Sequence, residues 1–211
     1  MASWMIHLRV ADQLLDRIPN LSPIEFIMGN LAPDSGAPTE HGFFPDQTVS
    51  HFRTDDGTGK KAMDLDAYRQ RYFSPDIVAD YDEKQYAFYL GYYTHLLTDL
   101  CWSDRIAWPT RQDFPEAAWQ AIKKDWYDLD RLYLKKHPGF RAFRAYLGSV
   151  GFVNSYIDFF TADAFELRRQ AVTDFYLEEG EDPDRVFTYL TEEEYDSFVD
   201  DCITYIMEVL K

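Results

Sequence analysis

The residues of this sequence that could do chemistry centre on one helical pair. His95 and Asp99 lie four positions apart in the run from Gly91 to Trp102. Because four residues make about one helical turn, the imidazole and the carboxylate share a face, with Cβ atoms about 5–6 Å apart. Two residues upstream, Asp34 and His51, carry the same kinds of donor atom. The spacing predicts side chains that hold one metal ion, as in a metallohydrolase.

The surroundings of the pair favour a cation. The helical run is rich in apolar residues, and an uncompensated carboxylate in such a setting loses several kcal/mol of solvation. A divalent ion would compensate both polar groups, and imidazole and carboxylate ligands suit zinc. Zinc usually has four ligands, and Asp34, His51, His95 and Asp99 would supply that number. His7 is a fifth candidate ligand.

A purely structural alternative stands beside the metal site. His95 and Asp99 would then hydrogen-bond to each other or to helix ends, as ordinary buried polar groups do. His51 would be a loop residue, and Asp34 would cap a turn.

Composition sets bounds on the protein. The chain has 211 residues, 46% hydrophobic and 17% aromatic, which predicts a single compact domain over residues 1–211. The formal charge of -16 comes from 37 acidic and 21 basic residues, and it argues against binding to duplex nucleic acid. We find no transmembrane segment, because no apolar stretch reaches about 18 residues. With no leader evident, a cytoplasmic location is expected. Cys101 and Cys202 are expected to be buried thiols.

The pattern predicts an all-α fold with a long loop between the first helices and a central buried helix. An early helix begins at Ser22 and ends at Gly29, and a loop follows from Leu31 to Gly59. The other predicted helices cover Leu65–Tyr72, Glu83–Trp102, Asp113–His137, one or two helices over Phe140–Leu177, and a last helix after the capping box at Thr191. Glu178 to Asp184 reads as a solvated acidic loop.

The order of these motifs resembles the zinc-dependent phospholipase C family, which is related to single-strand-specific zinc nucleases. The motifs cover roughly the first half of the chain. They are His7, the run Gly29-Asn-Leu-Ala-Pro-Asp34, the triplet Ser50-His-Phe52 and the run Gly91-Tyr-Tyr-Thr-His-Leu-Leu-Thr-Asp99.

The resemblance implies one zinc ion or two. Asp99 would bridge from the first ion to a second ion that His7 also holds, and the remaining ligands of the first ion would be Asp34, His51 and His95. Family members with three ions use the amino group of an N-terminal tryptophan. Here Trp4 lies three residues inside the sequence, so its nitrogen belongs to a peptide bond.

The sequence departs from the family pattern after Asp99. Family members that bind three ions carry a histidine six residues after this aspartate, where this chain has Arg105. No later His-x-x-x-Glu pair exists, so a site with three ions is not expected. One hypothesis gives Arg105 a catalytic and substrate-binding role, holding a phosphoryl oxygen through two parallel hydrogen bonds. The alternative is a surface ion pair with Asp104 or another carboxylate.

These observations predict a zinc hydrolase of phosphoester bonds. Zinc lowers the pKa of bound water from 15.7 toward about 7, which makes hydroxide available for attack on phosphorus. Asp34 is either a zinc ligand or a general base. The expected substrate is a small phosphoester or is phospholipid-like. The alternatives are a zinc nuclease or nucleotidase, and a non-catalytic binding or scaffold protein with a structural or vestigial metal site. His41 is expected to be an ordinary loop histidine.

Overall fold

The computed structural model describes residues 1–40, 42–55, 57–178 and 183–211. Its regular structure is mainly helical, which confirms the all-α prediction. Three short helical turns of other geometry cover Ala32–Asp34, Ser103–Ala107 and Glu116–Ala118. The α-helices are α1 (Trp4–Leu15), α2 (Pro23–Leu31), α3 (Gln47–Ser50), α4 (Leu65–Tyr72), α5 (Pro75–Val78), α6 (Glu83–Trp102), α7 (Trp108–Asp113), α8 (Trp119–Lys136), α9 (Arg141–Gly148), α10 (Ala164–Leu177) and α11 (Glu192–Val209).

Two short antiparallel hairpins interrupt the segment that the sequence predicts to be loop. Strand β1 (Ala37–Thr39) pairs with β2 (Gly42–Phe44), and β3 (Arg53–Thr54) pairs with β4 (Ala62–Met63). The loop prediction from Leu31 to Gly59 therefore missed three of these strands and the short helix α3. Closely spaced prolines and glycines keep each of these elements to four residues or fewer, because neither residue supports a long ladder or helix.

Side-chain caps set the starts of several helices. Ser3 caps α1, and Asp82 with Gln85 forms a capping box at the start of α6. The capping box predicted for the last helix is confirmed, with Thr191 and Glu194 bonded reciprocally at the start of α11. The bounds predicted for α4 and α6 agree with the structure.

Helix α2 continues past the glycine at which it was predicted to end. It runs to Leu31, because Gly29 lies at a contact between helices and does not end the helix. A Cβ atom on Gly29 would lie 2.0 Å from the carbonyl oxygen of Phe88 on α6. One on Gly91 of α6 would lie 2.1 Å from the carbonyl oxygen of Phe26 on α2. Only glycine allows the two backbones to approach this closely.

The second half of the chain adds four longer helices. Helix α8 begins at Trp119, later than predicted, because Pro115 follows Phe114 and holds that residue in extended backbone after α7. The region 140–177 contains two helices, α9 and α10, separated by irregular chain. Most of the acidic loop predicted for 178–184 lies outside the described residues.

Helix α6 is the central element. It is buried around most of its circumference and packs most extensively against α2, as the sequence predicts for a central helix. Trp102, at its end, is fully buried against Trp126 of α8 and Phe198 of α11. Cys101 and Cys202 are buried free thiols, as expected. No helix among the described residues combines the length and apolar character needed to cross a membrane.

Candidate metal centre

The pair on α6 is in the predicted arrangement. His95 and Asp99 are both fully buried, and Nε2 of His95 lies 3.8 Å from Oδ2 of Asp99. They share one face of the helix because four residues make about one turn. This face meets α1, α2 and the chain that follows α3.

The structure brings the other three predicted ligands to the same point. Nε2 of His51 lies 3.3 Å from Oδ1 of Asp34 and 3.3 Å from Nε2 of His95. His7, from α1, stacks its ring on that of His95 at 3.8 Å between centroids. Its Nε2 lies 3.5 Å from Oδ1 of Asp99. Five side chains distant in sequence thus form one cluster.

Hydrogen bonds at the far side of two rings fix their orientation. Nδ1 of His95 lies 2.7 Å from the backbone carbonyl oxygen of Asn30, to which it donates. Nδ1 of His51 lies 2.9 Å from the side-chain hydroxyl of Ser50. The backbone carbonyl of Ser50 in turn accepts a hydrogen bond from the hydroxyl of Tyr92. Both rings therefore turn Nε2 toward the cluster, as outer hydrogen bonds do for histidines that bind metals.

The close contact of α2 with α6 produces this orientation. Gly29 and Gly91 allow the backbones to touch, which brings the carbonyl of Asn30 within reach of His95. The side chain of Asn30 adds a second tie, donating to the hydroxyl of Thr94 at 3.0 Å. The glycines of the two motifs thus position a ring without contacting it.

Burial and charge shift the titration of the cluster. Burial alone would raise the pKa of Asp99, but the ammonium of Lys61 and the N-terminal amine hold that pKa well below its usual range. The pKa of Asp34 is also lowered, against burial, mainly by its hydrogen bond with His51. Burial, reinforced by the nearby His7, lowers the pKa of His95 well below its usual range. The carboxylates are ionised and His95 is neutral near pH 7, which are the forms that bind metals.

The residues fit a bound metal ion. Both ring nitrogens of His7 are buried without a hydrogen-bond partner, although buried polar atoms normally have one. Two groups of three residues could each hold a metal ion, and both include His95. Within each group, the three ligand atoms all lie within 4.8 Å of one another. One group adds His7 and Asp34, and the other adds His51 and Asp99. Imidazole and carboxylate donors of this kind suit zinc.

A residue that the sequence did not single out completes the cluster. The ammonium of Lys61, which directly precedes β4, contacts Oδ2 of Asp99. Oδ1 of the same carboxylate accepts a hydrogen bond from the backbone N–H of Ala2 at 2.8 Å. Lys61 lies 38 positions from Asp99 in a loop rich in glycine and lysine, where a lysine normally indicates only solvated charge.

The structure does not bring Arg105 to the cluster. Its guanidinium is exposed and pairs with Asp201 of α11, which agrees with the surface alternative. The carboxylate of Asp201 holds the side chain toward α11, so the guanidinium does not contact the clustered side chains. Trp4 lies against Phe175, with ring centroids 5.6 Å apart, and is not among the clustered side chains. His41 lies outside the described residues.

A cavity of about 420 Å³ opens beside the cluster. Asp34 and His51 line it, whereas His7, His95 and Asp99 lie behind them. Its size is within the range of small-molecule sites, about 300–1,000 Å³. The cluster therefore has an adjoining space in which a ligand could meet it.

Comparison with known proteins agrees with this geometry. Residues 6–102 match the sequence model of a family described as zinc dependent phospholipase C. That span contains all five clustered side chains and ends at Trp102, before Arg105. Neither the curated proteins nor the solved structures gave a match. The family match and the metal-capable groups together indicate a zinc hydrolase.

Proposed function

Starting from the zinc dependent phospholipase C match over residues 6–102, we propose that this protein hydrolyses phosphoester bonds with zinc. The observation that carries the proposal is the convergence of five ligand-type side chains beside a cavity. Proteins that bury charge at this density pair it or coordinate a metal with it. A small phosphoester or phospholipid-like molecule is the substrate class that this site would take.

Each side chain has a role in the proposed site. His51, His95 and Asp99 form one set of ligands, and His7 supplies a further nitrogen for one or two ions. A bound zinc ion supplies a Lewis acid that lowers the pKa of water and offsets charge on phosphoryl oxygens. The backbone carbonyl of Asn30 keeps His95 in the tautomer with a free Nε2 by accepting a hydrogen bond from its Nδ1–H.

Asp34 has the most direct access to a substrate. Its carboxylate lines the cavity and is held ionised by His51, so it can accept a proton at Oδ1 or Oδ2 or bind the ion. Asp34→Asn separates the two roles, because an amide is a poor base and a weak metal ligand. Full zinc content with activity lost identifies a general base, and lost zinc identifies a ligand.

The test combines metal content with turnover. We expect about one or two zinc equivalents in the wild-type protein and none in a His95→Ala, Asp99→Ala double variant. We expect the wild type to hydrolyse a chromogenic phosphodiester such as bis(p-nitrophenyl) phosphate, and the double variant to be inactive. His137→Ala is the matched control, since His137 is exposed at the end of α8. Zinc bound at full occupancy with no turnover on mono- or diesters would refute the proposal.

The contact between Lys61 and Asp99 favours one other candidate. An ammonium that pairs with a ligand carboxylate offsets the same charge that a metal ion would. In that case the protein would be a non-catalytic helical scaffold with a vestigial site. Failure to take up zinc on reconstitution, with the fold intact, would select this candidate.

A further inference from the structure

The cavity beside the cluster gathers positive charge. Four cationic side chains line it, each from a different part of the chain: Arg53 of β3, Arg111 of α7, Lys123 of α8 and Arg168 of α10. The whole chain carries a formal charge of -16. Cations at a single cavity of such an acidic protein create a local field opposite to that of the whole molecule.

The carboxylates of the described residues do not neutralise these cations. Elsewhere on the surface arginines form ion pairs, as Arg71 does with Asp158. Among the described residues, none of the four cavity cations has a carboxylate within 4.0 Å. Arg53 donates to the side-chain oxygen of Gln47 at 3.0 Å, and Arg168 donates to the backbone carbonyl of Gly36 at 3.0 Å. Their charge therefore remains available to a ligand.

Two of the cations have still fewer partners. In the described part of the chain, neither Arg111 nor Lys123 donates a side-chain hydrogen bond to the protein, and Arg111 lies over the ring of Trp119 at 4.7 Å. An arginine in this position can hold an anion through its fork of N–H donors while its plane stays on the ring. Arg111 and Lys123 are therefore the groups with unused donors.

The cavity is poorly suited to a cationic group. Asp34 is the one carboxylate among the described residues that line it, and it belongs to the metal cluster. A quaternary ammonium is normally bound on aromatic faces. Here Arg168 lies over the ring of Trp4 at 5.4 Å, and Arg111 covers Trp119. The protein's own cations thus occupy two of the aromatic faces that such a ligand would need.

We propose that this cavity selects an organic phosphate that carries a second anionic group, and that Arg111 and Lys123 set the preference. The proposal rests on the proposed function, which places the phosphoester at the cluster. The second anion would bind the unpaired cations, whereas a phosphocholine group would bring its trimethylammonium among like charges.

Binding measurements test the preference without turnover. Three ligands share a phosphate and differ in the second group: phosphoglycolate has a carboxylate, glycerol 3-phosphate has hydroxyls and phosphocholine has a trimethylammonium. By titration calorimetry on zinc-loaded and chelator-treated protein, we expect phosphoglycolate to bind at least about tenfold more tightly than phosphocholine, since charge-assisted hydrogen bonds are the strong ones. Glycerol 3-phosphate should fall between them.

Charge-removing variants assign the preference to residues. Arg111→Gln and Lys123→Gln should each weaken phosphoglycolate binding about fivefold or more, because each loses a charged donor, and should not weaken phosphocholine binding, because each removes a like charge from its trimethylammonium. Arg144→Gln, on the exposed side of α9, is the matched control and should leave the three affinities unchanged. Circular dichroism of each variant checks the fold.

The outcomes separate this proposal from the proposed function. Equal or tighter binding of phosphocholine, or an unchanged preference in both variants, would overturn the anion preference whatever the activity. An intact preference without hydrolysis would support the cavity proposal while refuting the proposed reaction.

Vesicles distinguish a lipid from a soluble ligand. Phe43 lines the cavity and is 52% exposed, and its neighbour Phe44 is 70% exposed, so both rings could enter a lipid surface. Phosphatidylinositol 4-phosphate carries a second phosphate on its headgroup. Binding to phosphatidylcholine vesicles that contain it but not to pure phosphatidylcholine vesicles, lost in Phe44→Ser, would support the preference with a lipid source. Phosphoglycolate binding without vesicle binding would support it with a soluble source. Equal binding to both vesicles would count against the preference.

Discussion

At the residue scale, the contact of Lys61 with Asp99 places a positive charge beside the predicted metal ligands. The ammonium is about 10% exposed, and it contacts a carboxylate that is fully buried. A metal ion that takes Oδ2 of Asp99 must displace this ammonium or bind beside a like charge. Lys61 is therefore a competitor for the metal as well as a support for the metal-free protein.

Replacing Lys61 with methionine should separate these effects. In Lys61→Met the metal-free protein should lose about 3 kcal/mol of unfolding free energy, because Asp99 keeps its buried charge without the ammonium. Zinc affinity should rise about tenfold, since neither repulsion nor displacement opposes the ion. Thermal unfolding with and without zinc measures both, and the rise in Tm on adding zinc should be larger in the variant.

The adjacent lysine is the control for this prediction. Lys60 reaches the exposed carboxylate of Asp104 at 3.5 Å, so Lys60→Met removes a surface charge next to the same backbone. It should change neither the metal-free Tm nor zinc affinity by a measurable amount. Weaker zinc binding in Lys61→Met would show that the ammonium helps to hold the site together.

The sequence predicted the clustered side chains but not their cationic neighbour. Aspartate is almost never fully buried unless it is paired, so an aspartate one turn from a histidine on an apolar helix carries a signal. Lysine at a loop position carries none, because solvated lysines are common and only the tertiary fold brings Lys61 to Asp99. For Arg105, the position after Asp99 suggested a substrate-binding role, whereas in the structure Asp201, 96 positions further on, pairs with its side chain.

At the scale of elements, the contact between α2 and α6 positions the cluster. Gly91 faces the α2 backbone so closely that an added Cβ would lie 2.1 Å from the carbonyl oxygen of Phe26 and 2.9 Å from the amide nitrogen of Asn30. Neither backbone atom can move without shifting α2. The carbonyl that orients His95 belongs to the same turn.

Gly91→Ala should therefore damage both stability and metal binding. We expect a loss of about 3 kcal/mol or more in unfolding free energy, because overpacking here meets backbone. Zinc affinity should fall about tenfold or more, since the outer hydrogen bond to His95 is displaced. Urea unfolding and a competitive chelator titration measure the two effects.

Gly148→Ala provides the matched substitution. No heavy atom lies within 4 Å of a Cβ built there, and its φ is not positive. It should change stability by less than about 1 kcal/mol. Equal effects of the two substitutions would show that close approach at Gly91 is not required.

Helix bounds were predictable where local signals agree. Helix α6 begins at a capping box and carries no proline, so its start and its unbroken course could be predicted from the sequence. The end of α2 could not be predicted, because glycine is typical of helix ends, whereas Gly29 lies within the helix at its contact with α6. Helix α1 was not predicted, although it contains the predicted ligand His7.

At the scale of the whole molecule, one buried carboxylate joins four helices. Asp130 of α8 accepts hydrogen bonds from Ser3, the cap of α1, at 2.6 Å, and from Tyr176 of α10 at 2.7 Å. Tyr195 of α11 donates to the same carboxylate. Burial outweighs these hydrogen bonds and raises the pKa of Asp130 to about 6. Asp130 thus links pH to the packing that keeps α1, and with it His7, in place.

The raised pKa gives stability a defined dependence on pH. Because the unfolded pKa is about 3.9, the folded protein binds the Asp130 proton more tightly, and its stability falls by about 3 kcal/mol as pH rises from about 4 to 6. Asp130→Asn removes this term, so its unfolding free energy relative to wild type should rise over that window and level off above it. Asp128→Asn, two residues earlier on α8, should behave oppositely, because Lys124 and Arg185 lower the pKa of Asp128 despite partial burial. Its relative stability should fall as pH rises toward 4. Urea unfolding from pH 3 to 8 measures both, and parallel curves for wild type and Asp130→Asn would contradict the role given to Asp130.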